Sequence, residues 1–245
     1  MDKKIIESLS HYPRDMTGYG SNSIHPNWPK KAKVALQFVL NYEEGGENCI
    51  LHGDKSSEAF LSEIVAARPY EGVRHMSMES LYEYGSRVGV WRVLRLFREF
   101  EIPITIFAVA MAIARNRELA DYLVDEDYDI CAHGLRWIDY QFVDEETERE
   151  HIDVCVSLLK DVLGKRPIGW YTGRNSPNTR RLVIEEGGFL YDSDSYDDDL
   201  PYWVKGNNEK TKHLVIPYTL DVNDMRFTTA QGFNSGNQFF NYLKD

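Results

Sequence analysis

Apolar runs of strand length and amphipathic segments of helix length take turns along most of this chain, and that alternation restricts the fold more than any other feature. "KVALQFVLNY" is a nearly continuous apolar run with turn residues behind it, the pattern of a buried strand. Over residues 86–100, Val90, Val93, Leu94 and Phe97 share one helical face. "IPITIFAVA" reads as the next strand, "RNRELADYLVDE" as a short helix and "YDICAHG" as a third strand. A longer helix follows, with acids over residues 144–146 at its start, Ile152, Cys155 and Leu159 on one face and Gly164 as its stop. "PIGWYTG", "PNTRRLVIEEGG", "FLYDSD" and "HLVIPYTL" continue as strand, helix, strand, strand. Such a rhythm implies parallel strands with helices packed outside, either as a barrel or as an open doubly wound sheet.

The 245 residues suffice for one large core. "GYGSNSIHPNWP" is rich in Gly, Pro, Asn and Ser, so residues 1–32 are expected to be an N-terminal arm of little regular structure packed on a single domain, residues 33–245. The last segment, "NSGNQFFNYLKD", reads as the opening of a helix with no strand behind it. No internal repeat, GxGxxG or Walker loop is present.

A formal net charge of −11 argues against nucleic acid or an anionic membrane as partner and favours a small, weakly polar substrate. The three cysteines have no C-x-x-C spacing and read as reduced thiols of a cytoplasmic protein. No segment resembles a signal peptide, and the apolar run "IPITIFAVAMAIA" is well short of the roughly 20 residues of a membrane span. The aromatic N-terminal arm leads to the expectation of a homo-oligomer.

In parallel α/β folds the loops at the C-terminal ends of the strands carry the chemistry. Here those ends supply Glu43 and Glu44, His133, Arg174 and Asn175, Asp192 and Asp194, and then Asp221, Asn223 and Asp224. Each has a bland reading. Adjacent acids before Gly-Gly are commonly a solvated turn, a lone His is more often a hydrogen-bonded core residue, and "YDSDSYDDD" lacks the Gly and distal Glu of a calcium loop. Their joint placement at one end of the sheet is what favours function.

With these residues assembled, the chain resembles the polysaccharide deacetylase (NodB-homology) family over residues 33–220. The resemblance implies a distorted (β/α) barrel whose C-terminal element has no match here. "NYEEG" stands where the family has T-F-D-D-G, putting Glu43 at the base position and Glu44 at a metal-ligand position. "HGLRW" keeps His133 of the H-S/T-x-x-H motif but has Trp137 at the second ligand, and "RNSP" matches Arg-x-x-Pro, so Arg174 takes the role of the residue that holds the base. The family's final L-x-x-H strand has no counterpart after Phe227. An indole cannot donate a lone pair to a metal, so a tight divalent site is not expected.

Long stretches such as "ALQFVLNYEEGGENCILHGD", "HGLRWIDY" and "GGFLYDSDSYDDDLPYW" are similar to one branch of that family, the cofactor-free allantoinases of urate degradation. That resemblance implies hydrolysis of the hydantoin ring of allantoin to allantoate, with no cofactor and no metal. Glu43 would be the general base, Arg174 its charge partner and His133 the donor to an oxyanion or leaving nitrogen. Glu44, Trp137, Tyr171, Asn175 and Asp194 are the candidate substrate contacts. A metal-dependent sugar deacetylase and a small-molecule binding module of the same fold that has lost catalysis are the alternatives.

Overall fold

The computed structural model describes residues 3–10, 12, 14–22 and 24–245; residues 1, 2, 11, 13 and 23 of the expected arm lie outside them. The chain divides into two units, Met1–Leu36 and Gln37–Asp245. In the first, α1 (Lys3–Ser10) gathers Ile5, Ile6 and Leu9 on one side, a helix that the composition of the arm did not reveal. Most of the rest of this unit is irregular, and Gly18 and Gly20 turn the chain at φ +51° and +60°.

The second unit runs β1 (Phe38–Tyr42), α2 (Met76–Tyr84), α3 (Val90–Glu99), β2 (Ile104–Ala108), α4 (Ala110–Arg115), α5 (Arg117–Asp125) and β3 (Asp129–Ala132). It continues through α6 (Glu145–Leu163), β4 (Gly169–Trp170), α7 (Thr179–Glu186), β5 (Tyr191–Asp192), β6 (Tyr202–Lys205), β7 (Lys212–Val215) and α8 (Gly236–Lys244). The seven strands form one sheet in the order β1-β2-β3-β4-β5-β7-β6, parallel throughout except where β6 meets β7. The first five strands follow one another in sequence, without the reversal of a doubly wound sheet. This is the strand order of a barrel, here open between β1 and β6.

Period-two alternation sorts the strand residues onto two faces. Ile106, Ala108, Ile130, Ala132 and Trp170 join the large core with buried residues of α3 to α7. Phe107, Cys131 and Tyr171 form a second cluster with Val39, on the opposite face. Asn41 is in register with Phe107, and Glu43 and His133 continue the same alternation past their strands. The sequence pattern thereby delivers the polar strand ends to the face that the helices leave open.

Helix α6 shows how local signals fix the frame. The Asp144 carboxylate accepts from Thr147 N at its start, and Gly164 at φ +71° closes it. Ile152, Cys155 and Leu159 are buried on its apolar face, and fully buried Glu148 accepts hydrogen bonds from Ser176 and Thr179, tying α6 to the start of α7.

Several elements of the second unit depart from expectation, among them α4, for which the sequence reading has no helix. The helix expected over residues 86–100 starts at Met76 and passes through a π-helical turn at Gly85–Gly89. Strand β1 covers only the second half of "KVALQFVLNY". Strand β6 gave too little signal, four half-exposed residues pairing antiparallel at an edge.

Candidate active site

Glu43 and His133 meet across the open face. His133 is 2% exposed, its Nδ1 lies 2.8 Å from the Tyr171 carbonyl oxygen, and its Nε2 lies 2.8 Å from Glu43 Oε1. A carbonyl only accepts, so Nδ1 carries a proton. The Nε2···Oε1 contact then requires one more proton, held by either atom. Asn41 Nδ2 donates to the same Oε1 at 3.2 Å. Glu43 Oε2 meets no partner among the described residues, and the side chain is 25% exposed, so one oxygen faces whatever enters. Asn41 was legible only by its i, i+2 spacing to Glu43 on one strand face.

The turn behind Glu43 is tightly built. Gly46 N donates to Glu43 O, Trp137 N donates to Gly46 O, and a Cβ on Gly46 would run into the Val109 side chain and crowd Trp137 N. Gly45 sits at φ +94°, and Arg115 clamps its carbonyl. Glu44 turns away from Glu43 Oε1: its carboxylate accepts from Glu43 N at 3.2 Å and fills the space beside Gly85, where any Cβ would collide with it. Burial, with the charges of Glu43 and Glu47 adding to it, pushes the Glu44 carboxyl up to about 7.

The expected ion pair between Arg174 and Glu43 is not formed. Arg174 Nη1 donates to Glu58 Oε2 and to the Trp137 carbonyl, both at 3.3 Å. The guanidinium lies 4.6 Å from the centroid of the Trp137 ring and 5.1 Å from that of Phe60, against two rings that themselves pack 5.9 Å apart. Glu58 carries no sequence signal; it sits in the long irregular segment between β1 and α2. The partner of Glu43 is instead His133. Arg174, Glu43, Glu47 and Glu58 nonetheless all act electrostatically on the Tyr82 hydroxyl.

The remaining candidates separate. Trp137 is buried, and Arg174 covers one face of its ring, so it supports the guanidinium rather than offering that face to a substrate. Tyr171 is buried, stacked on Tyr218 and hydrogen-bonded to the Tyr196 hydroxyl; its backbone carbonyl is what touches the site. The Asp194 carboxylate accepts from Thr172 N and Gly173 N and fixes the loop that leads to Arg174, while Asn175 is exposed and away from this network. Burial pushes the Asp194 carboxyl up to about 6, against the lowering effect of those two N–H groups.

A divalent ion of the deacetylase kind needs a carboxylate and two imidazoles round an open position. Here Nε2 of the one imidazole is taken by Glu43, Trp137 stands at the other imidazole's place, and Glu44 is packed against Gly85. No group of three His, Cys, Asp or Glu among the described residues converges as ligands. These residues do not fit the ion.

Residues 74–187 match the polysaccharide deacetylase family model. A Schizosaccharomyces pombe protein that carries the polysaccharide deacetylase name is 40% identical over 248 residues, 95% of this chain and 78% of that protein. The crystal structure of PuuE allantoinase superposes with a TM-score of 0.92 at 66% identity, over 96% of this chain and 78% of that one. A Pseudomonas aeruginosa PAO1 structure named a probable polysaccharide deacetylase gives the same values.

Proposed function

We propose that this chain, which belongs to the polysaccharide deacetylase family, is a metal-independent hydrolase of cyclic ureides that opens the hydantoin ring of allantoin to allantoate. The observation that supports the reading is the 2.8 Å Glu43–His133 contact, which occupies the imidazole nitrogen that a metal would need. The likeness to PuuE allantoinase supports the choice of substrate.

In the productive state Glu43 is ionised and His133 carries both protons. Glu43 Oε2 takes a proton from water as the water oxygen bonds to the ring carbonyl carbon. The carbon–nitrogen bond then breaks, and His133 Nε2 gives its proton to the departing ureido nitrogen. Glu43 next returns the water proton to His133, and the products are a carboxylic acid, which ionises, and a ureido N–H. A ureido anion is delocalised into its own carbonyl and leaves more readily than an acetamido amine, so less electrophilic help is needed.

The test is allantoate production by the purified protein in excess chelator and again with added zinc. Turnover in chelator at the untreated rate is the expected result. No allantoate from folded protein would sink the reading, and zinc-dependent release of acetate from an acetylated sugar would favour the deacetylase that the Pseudomonas aeruginosa structure is named for.

A further inference from the structure

The Glu58 carboxylate is engaged on both oxygens. Oε1 accepts from Ala59 N and Phe60 N at 2.9 and 3.0 Å, and Oε2 accepts from Asn48 Nδ2 at 2.7 Å and from Arg174 Nη1 at 3.3 Å. One residue thus shapes the turn that presents Phe60 and supplies the charge that draws Arg174 towards the same ring. Trp137 packs beside Phe60 against the same guanidinium, and its backbone joins it to the Glu43 turn, with Trp137 N on Gly46 O and Trp137 O on Arg174 Nη1.

Hydrogen bonds hold the guanidinium by one nitrogen, Nη1. Among the described residues no acceptor engages Arg174 Nε or Nη2, and the side chain is 20% exposed. A planar cation with unused donors beside the Glu43 turn is suited to the oxygen of a ureide, which presents a flat carbonyl to N–H donors.

We infer that Glu58 is a positioning residue: it keeps Arg174 off Glu43 and commits its free N–H groups to a carbonyl oxygen of the substrate. Glu43 is thereby left to its proton-sharing partner His133, and one guanidinium does not both neutralise the base and bind substrate. The identity of the bound oxygen rests on the cyclic-ureide reading; the placement of Arg174 by Glu58 does not.

The test is the Glu58→Gln variant, nearly isosteric, in which Oε1 still accepts from the Phe60 turn while an NH2 group faces the Asn48 and Arg174 donors. Its crystal structure is expected to show Arg174 displaced from the Phe60 and Trp137 rings. Its KM for allantoin is expected to rise on the order of tenfold with kcat kept within a few fold, the pattern of lost uniform binding. Arg174 unmoved against the two rings, or an unchanged KM, overturns the inference. Phe60→Leu, which leaves the Glu58 hydrogen bonds in place, is expected to raise KM by roughly threefold for the same reason, and no rise there counts against the part of the ring in holding Arg174. If the wild-type protein does not hydrolyse allantoin, the substrate reading falls, while the two crystal structures still decide whether Glu58 places Arg174.

Discussion

Two acid pairs stand at the same end of the sheet, Glu43 with Glu44 after β1 and Asp192 with Asp194 at the end of β5, and they are held in opposite ways. Asp192 is 1% exposed, with its oxygens taken by Arg180 and His213, and Asp194 is closed off by Thr172 N and Gly173 N. Among the described residues, the Glu43 carboxylate meets only Asn41 and His133, both through Oε1, and the Glu44 carboxylate accepts from Glu43 N. The first pair keeps an oxygen for chemistry and the second does not. A strand-end position nominates an acid; its inventory of partners decides whether it reacts or braces.

The largest effect that tests this contrast is on stability. Asp192→Asn leaves half-buried Arg180 without its counter-charge, and breaking such a pair costs about 3 kcal/mol. Urea denaturation checks it, and a loss below about 1 kcal/mol would mean that Asp192 is not the brace described. Glu43→Gln should act on rate instead, lowering kcat for allantoin on the order of 10² or more with the urea midpoint little changed. Near-normal turnover in that variant removes Glu43 from the role of base.

The alternation of strands and helices, the α6 boundaries and the cluster of polar strand ends were all legible in the sequence, because each depends on local periodicity or on a terminal residue type. Partnership was not. Arg174 follows the family motif yet turns to Glu58, a residue 116 positions away in a segment without periodic pattern, and the Tyr171 carbonyl that sets the His133 tautomer belongs to a backbone whose role no side chain announces. Contacts of this kind depend on how loops fold over the strand ends, which no local pattern encodes.

A third test separates the acids by their titration. The Glu44 carboxyl ordinarily titrates near 4.5 and is raised to about 7 in the fold by burial and by its acidic neighbours. Between those values the folded state binds the extra proton, so stability falls as pH rises and levels off above about 7. Glu44→Gln cannot titrate and should remove about 1 kcal/mol of that fall per pH unit, read as the melting temperature against pH from 4 to 8. An unchanged profile would mean that Glu44 is not buried against Gly85 as described.

The smallest effect distinguishes the two aspartates of the second pair. Burial would raise Asp192, but its bonds to His213 and Arg180 outweigh it and hold the carboxyl below 3.8, so its contribution is present above that value and lost in acid. Asp194 is raised from 3.8 to about 6, so its ionisation weakens the fold as pH climbs through that narrower window. In Asp194→Asn the side-chain carbonyl still accepts from Thr172 N and Gly173 N, as Asp194 Oδ1 does, and the cost of burying a charge is removed. The variant is therefore expected to lose less than about 1 kcal/mol at pH 5 and to flatten the stability profile between about pH 4 and 6 while leaving the fall towards pH 7 in place. A loss as large as that of Asp192→Asn would show that the loop needs the charge itself. The two aspartates would then brace alike, and the contrast would lie only between the strands.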